Sequence, residues 1–258
     1  MSGGPPRAVW FARISRDLLQ DGDLPVTLER VVARGVLTVP GAEACSLTLR
    51  GSSRRPVTAA ATRADVVDVD DLQYAWNEGP CLEAVKDDAG TLVASDLRID
   101  PRWPRWGPAA AEAGYRSVLA VRLQDVSHAT GALNLYASGP DAFGPESIDV
   151  AEIYAEHAAA ALDHAREIDG LRTAMESRHR IGMAQGVLAI RYGIGFEEAF
   201  EVLRRLASDT NTKLRDLAAE VLERRELPPR LVSGVADGST DEAGPDETGP
   251  DTDQEEPA

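Results

Sequence analysis

Cysteine is nearly missing from this chain, and so are long apolar runs and aromatic side chains. Cys45 and Cys81 are the only two cysteines and sit in no CxxC or Cys/His spacing, so neither a disulfide framework nor a zinc site is expected. Both read as small buried hydrophobes. No apolar stretch approaches the roughly 18–20 residues that span a bilayer, and MSGGPPRAVWFARISRDLL at the amino terminus lacks the apolar core of a signal peptide. A cytoplasmic protein is expected. Aromatics are 5% of residues against 43% hydrophobic overall, so a core must be built from Ala, Val, Leu and Ile, which favours helices and small α/β layers. Catalytic signatures are missing too. His128, His157, His164 and His179 lie in no nucleophile, metal or kinase motif, and there is neither a Gly-rich phosphate loop nor HExxH. His157 and His164 read as packing or stalk residues of one helix, and no catalytic or metal residue is expected.

The formal net charge of −16 excludes a uniformly basic nucleic-acid binder, yet the charge is uneven. Residues 1–171 hold 16 basic and 25 acidic side chains, 172–230 hold 11 and 9, and 231–258 hold 0 and 9, which gives −9, +2 and −9 and sums to −16. One mildly basic segment therefore lies inside an acidic protein. The last segment, 231–258, is rich in Asp, Glu, Gly, Pro and Thr and cannot bury enough surface to offset its ordering entropy, so a disordered acidic tail is expected beyond the Pro228-Pro229 pair. It reads as a solubilising tail, with competition for the arginines of the basic segment as the alternative.

After a flexible lead over residues 1–9, helical and strand-like patterns alternate. Leu28, Val31, Val32 and Val36 stand at helical spacing, and ACSLTLR (44–50) alternates with period two. PVTAAATR (56–63), TLVASDL (91–97), RSVLAVRL (116–123) and ATGALNLYAS (129–138) add strand candidates, the last two joined by a polar, hairpin-like QDVSHA. WGPAAAEAGY (106–115) reads as a helix, and Trp103 and Trp106 as anchors from loop to core. The implied fold class is α+β. A long helix follows from near Pro145, a residue suited to a first helical turn. Ile148, Ala151, Ala155, Ala158, Leu162, Ala165, Ile168, Leu171 and Met175 form an approximate heptad seam, so a coiled-coil-like connection over 145–175 and a homodimer are expected, against the alternative of a helix packed back on its own domain.

The segments GPCLEAV, ASDLRIDPRW and RSVLAVRL, followed by GALNLYA, resemble the second half of a GAF domain. The resemblance covers roughly 10–165 and implies an antiparallel sheet with flanking helices that acts as a sensor. It names no cofactor or signal, whether small molecule or protein.

Residues 176–227 divide at GIG and at SDTNT into three helices, within a module spanning 173–229. Ala199, Phe200, Leu203 and Leu206 line one face of the second, and Leu214, Leu217, Ala218, Val221 and Leu222 one face of the third, with Asn211 or Thr212 available as its N-cap. Such one-faced helices are marginal alone and should pack as a small bundle. Arg191, Arg204, Arg205, Lys213 and Arg215 fall off the apolar stripes, and Ala184, Gln185 and Gly186 make a flat patch that would admit close approach of a partner. That combination suits RNA with splayed bases, unless the arginines merely pair with Glu197, Glu198, Glu201 and Asp216.

IGMAQGVLAIRYGIGFEEAFEVLRRLASDTNTKLRDLA resembles the ANTAR domain almost without gaps. The resemblance implies a transcription antiterminator that binds paired RNA hairpins with six-nucleotide loops, and it places Ala184, Gln185, Gly186, Arg191, Arg204 and Lys213 on the RNA side. Gln185 stands where many members carry Lys, and Met183 where many carry Gln; exchanging the lysine lowers phosphate attraction but keeps hydrogen-bonding capacity. Two rivals remain. One is a helix-turn-helix DNA-binding factor with a GAF-like sensor, disfavoured by the acidic residues of the third helix; the other is a sensor that binds only protein, an enzyme having no motif to stand on.

Overall fold

In the computed structural model the described residues are 7–20, 22–50, 55–86, 90–124 and 131–228. Most of the expected 1–9 lead, the QDVSHA connection beyond Gln124 with His128, Pro229 and the 231–258 tail lie outside them. The chain divides into two compact units, Met1–Arg172 and Thr173–Ala258.

The first unit opens with α1 (Arg7–Leu18) and α2 (Leu24–Thr38), then β1 (Ala44–Arg50) and β2 (Pro56–Ala61). Helix α1 begins within the stretch expected to be flexible because Phe11, Ile14 and Leu18 recur on one face and are buried. Next come α3 (Ala64–Trp76), α4 (Pro80–Lys86), β3 (Thr91–Ala94), α5 (Trp106–Glu112), β4 (Ser117–Leu123) and β5 (Gly131–Ala137). The strands form one antiparallel sheet in the order β2-β1-β5-β4-β3. The architecture is α+β, as the patterning implied.

Alternation along the strands sorts side chains into two layers. Cys45, Leu47, Leu119, Val121, Leu133 and Leu135 point to the face covered by α1, α2 and the start of α6 (Pro145–Tyr192), where they share one core with Val31, Tyr154, Ala158 and Leu162. The opposite face presents Ala44, Val118, Ala120, Ala132 and Tyr136 to α3, α4 and α5. Trp103 and Trp106 are fully buried there: Trp103 donates from Nε1 to Glu83 Oε1 at 2.7 Å and Trp106 to the Val69 carbonyl at 2.9 Å. His157 stacks on Phe11 at a centroid distance of 5.7 Å.

The heptad seam requires a correction. Ala151, Ala155, Ala158, Leu162 and Ala165 are buried inside the first unit, so this part of the seam packs on its own domain and is not open to a second helix. Apolar spacing on a helix specifies a buried face without specifying what buries it. Further along, Leu171 and Met175 are exposed, at 61% and 71%.

The second unit contains the end of α6, then α7 (Phe196–Asp209) and α8 (Leu214–Arg224). The connection and the bundle's first helix are thus one continuous helix. Gly193, at φ 65°, stops it in the left-handed conformation that glycine adopts without steric cost. Ala184 and Leu188 of α6 pack with Ala199, Leu203, Leu206 and Ala207 of α7 and Leu217, Ala218 and Val221 of α8. The N-cap of α8 is Lys213, without a side-chain cap bond, rather than Asn211 or Thr212. Asn211 is instead spent on the left-handed turn at φ 50°, and the neighbouring Thr210 hydroxyl donates back to the Leu206 carbonyl at 2.7 Å. No helix among the described residues is long and apolar enough to cross a membrane.

Candidate nucleic-acid interface and a buried polar cluster

Six residues were expected to face RNA, and the second unit separates them by environment. Ala184 is fully buried in the three-helix core, so it cannot touch a ligand; the flat-patch reading fails there because the α6 turn that carries it turns its methyl toward α7 and α8. Gln185 is half-buried, and its Nε2 donates a long bond to the Phe196 carbonyl at 3.4 Å, at the start of α7. Gly186 is half-buried with nothing within 4 Å of the position a Cβ would take, which leaves room for close approach.

Among the cations, Arg191 reaches Glu226 at 3.3 Å and Arg204 grips Glu201 through Nη2 at 2.6 Å. Arg215 contacts Asp216 at 3.5 Å. The pairing reading is therefore met in part, since Glu201 and Asp216 do hold arginines. These pairs are exposed, and such pairs contribute only about 0–1 kcal/mol. A phosphate can replace either carboxylate at small cost, with a bidentate fit to guanidinium. Lys213 is exposed and forms no ion pair among the described residues, and Arg205, also exposed, stands one helical turn from Glu201 and acts on it by charge alone. Lys213 precedes α8 whereas Glu226, the partner of Arg191, follows it. Eleven helical residues, about 16 Å, separate the two positions. The candidates form a spread surface rather than a pocket.

The first unit holds a buried polar cluster that sequence reading missed. Asp70, Gln73 and Tyr74 occupy one face of α3 at i, i+3 and i+4, and they meet the polar residues of the sheet. The Tyr136 hydroxyl donates to Asp70 Oδ1 at 2.5 Å, the Thr58 hydroxyl to Oδ2 at 3.0 Å, and Gln73 Nε2 to Oδ1 at 3.2 Å. Tyr74 shares its hydroxyl with Thr48 and Thr58, and Asn134 Nδ2 donates to Ser46 and Thr48. Gln73 Oε1 accepts from the Cys81 amide at 3.0 Å and thereby ties α3 to α4. Gly79 permits this: at φ 142° it has no side chain where one would collide with Gln73. Asn134 Oδ1 is buried with no hydrogen-bond partner.

Burial sets the electrostatics of the cluster. It pushes the Asp70 carboxyl up to about 6, although hydrogen bonds from Ser46, Tyr136, Thr58 and Gln73 favour the ionised form. The Cys81 thiol is pushed up to about 12 by burial and then by Asp70, and the Cys45 thiol is also raised well above its ordinary value, again chiefly by burial. Both thiols stay protonated at neutral pH and behave as inert core residues, as expected.

Comparison with known proteins agrees with this geometry. Residues 22–163, more than half of the chain, match the family model described as a GAF domain, and residues 169–222 match the ANTAR domain. Among solved structures, the GAF domain of a phosphoenolpyruvate-protein phosphotransferase from Coxiella burnetii is 21% identical, with 64% of this chain and 99% of that one covered and a TM-score of 0.48. The phytochrome photosensory core module of Stigmatella aurantiaca is 11% identical, with 80% and 46% covered and a TM-score of 0.51. At these identities the likeness concerns fold alone. No curated protein matches the chain.

Proposed function

The chain belongs to the GAF-domain family and carries an ANTAR domain behind it; from that premise we propose that it is a signal-responsive transcription antitermination regulator that binds paired RNA hairpins with six-nucleotide loops. Both matched domains are regulatory rather than catalytic.

The observation that carries the proposal is a set of exposed cations, Arg191 and Arg204 in weak pairs and Lys213 without an ion pair among the described residues, spread over a small three-helix unit with open backbone at Gly186. Arg191, Arg204 and Lys213 contact phosphate, and Gln185 with Gly186 approaches the loop. Ala184 is dropped from the contact set because it is buried. Signal control is assigned to the first unit, whose residues continue into the second through α6. Two copies, joined at Leu171 and Met175, engage two hairpins, and bivalency raises affinity through effective concentration. RNA held in the two-hairpin form cannot form an overlapping terminator stem.

The test is binding of the full chain to a tandem-hairpin RNA, to loop-mutated RNA and to duplex DNA at two salt concentrations. Loop-dependent, salt-sensitive binding supports the proposal. Preference for duplex DNA replaces it with a DNA-binding regulator, a reading that the acidic Asp216, Glu220 and Glu223 of α8 already disfavour in a major groove.

A further inference from the structure

Phenylalanine is scarce in this chain, and its four copies divide between two environments. Phe11 and Phe143 are each 6% exposed and lie in the core of the first unit. Phe196 and Phe200 stand one helical turn apart on α7 of the second unit. Phe196 is 53% exposed, and Phe200, expected on the apolar face with Ala199, Leu203 and Leu206, is half-buried beside the three-helix core rather than within it. Among the described residues neither ring is paired with another aromatic. Arg204, exposed, continues the row by one more turn, so Phe196, Phe200 and Arg204 follow one another at i, i+4 and i+8. Gln185 of α6 stands at the head of this stripe, where its Nε2 donates to the Phe196 carbonyl at 3.4 Å, a long bond that a better partner can replace. Gly186, with nothing within 4 Å of the place a Cβ would take, leaves the approach beside Gln185 open.

The geometry points to Phe196 and Phe200 as a stacking platform for unpaired loop bases of RNA, with Gln185 hydrogen-bonding the edge of the base on Phe196. This inference rests on the RNA-binding reading above and adds two residues that charge alone does not single out. A phenyl ring offers a π face and no hydrogen bond, which suits a splayed-out base, and the polar edge of that base then needs a neighbour that both donates and accepts, as the Gln185 amide does. Charge orders the two ends of the stripe. Glu197 and Glu198 occupy the first turn of α7 beside Phe196 and repel phosphate there, so the neutral base lies at that end and the backbone is drawn toward Arg204. A second copy of the chain is a poorer cover. Two aromatic side chains that can each bury at most about 250 Å², and are here already part-covered, fall well short of the roughly 800 Å² per partner of a stable protein interface.

The experiment measures binding of the full chain and of full-length Phe196→Leu, Phe200→Leu and Phe196→Trp variants to a tandem-hairpin RNA at two salt concentrations. Leucine keeps apolar bulk for folding and removes the π face; tryptophan keeps the face. Each Leu variant should bind about 10-fold more weakly with an unchanged salt slope, and Phe196→Trp should bind as tightly as the parent. Replacing the loop nucleotides one at a time by an abasic residue should find a position at which parent and Phe196→Leu bind equally, because the base that stacks is then missing. Loop-dependent binding that both Leu variants retain in full would overturn the platform and leave the antitermination reading standing. Weaker binding accompanied by loss of a dimer in analytical ultracentrifugation would also overturn it, since a second copy would then cover the rings. A parent chain that ignores the loop altogether would remove both readings together.

Discussion

Tyr136 Oη lies 2.5 Å from Asp70 Oδ1 in an interior that neither side chain leaves, so a β5 tyrosine and an α3 carboxylate form the polar joint between helix and sheet. The pairing has a pH signature. Because burial raises the folded-state value of Asp70 to about 6, the folded protein binds this proton more tightly than the unfolded chain does. Its contribution to stability is fully present below the unfolded carboxylate range and is lost as pH rises through about 6. Asp70→Asn should flatten the stability profile between about pH 4 and 6 and remove a neutral-pH penalty on the order of 2–3 kcal/mol. Chemical denaturation across that window checks it; parallel profiles for the two proteins would refute it.

The same joint explains what could be read beforehand. Strands β1 and β5 were legible because their apolar residues alternate with Ser46, Thr48 and Asn134, and β4 because SVLAVRL carries a short continuous apolar run. Helix α3 was not legible, since ADVVDVDDLQYAW turns Asp70 and Gln73 inward and so blurs the apolar stripe that marks a helix. The signal that does mark it is the spacing of Asp70, Gln73 and Tyr74, which share one helical face. The α6 seam was seen correctly as a buried face but assigned to the wrong partner over Ala151–Ala165, because periodicity carries no information about what lies opposite.

Ala184 was legible as a residue type and misread as a surface. Its methyl is fully buried between Leu188 and the α7 and α8 residues, so Ala184→Leu should overpack the bundle and cost about 1–3 kcal/mol. Ala184→Gly should leave RNA affinity nearly unchanged once folding is controlled. Thermal unfolding of the second unit, followed separately from that of the first, reports the former. A full-stability Leu variant defective only in RNA binding would restore the surface reading.

Among the cations, partnering predicts rank. Lys213 has no carboxylate to surrender, so Lys213→Ala should weaken RNA binding at all loop sequences and reduce the salt slope by about 1. Arg204 must first leave Glu201, which holds it through two hydrogen bonds, so Glu201→Gln should tighten binding while Arg204→Ala loosens it. Titrations at three salt concentrations separate these effects. Tightening by Glu201→Gln that persists at high salt would point to something other than charge.

Leu171 and Met175 stand four residues apart on α6 with most of their surface in water, beyond the part of the seam that the first unit consumes. Large exposed apolar residues one helical turn apart bury little in a single copy, and a matching pair from a second copy is the simplest cover. Replacing both with Glu should therefore leave the folding of each unit intact, because neither side chain contributes to a described core. It should convert a dimer to a monomer in analytical ultracentrifugation. Affinity for a tandem-hairpin RNA should then fall by about 10²-fold or more as avidity is lost, with affinity for a single hairpin unchanged. Equal losses on both RNAs would mean that these residues touch RNA directly, and no loss on either would separate dimerisation from recognition.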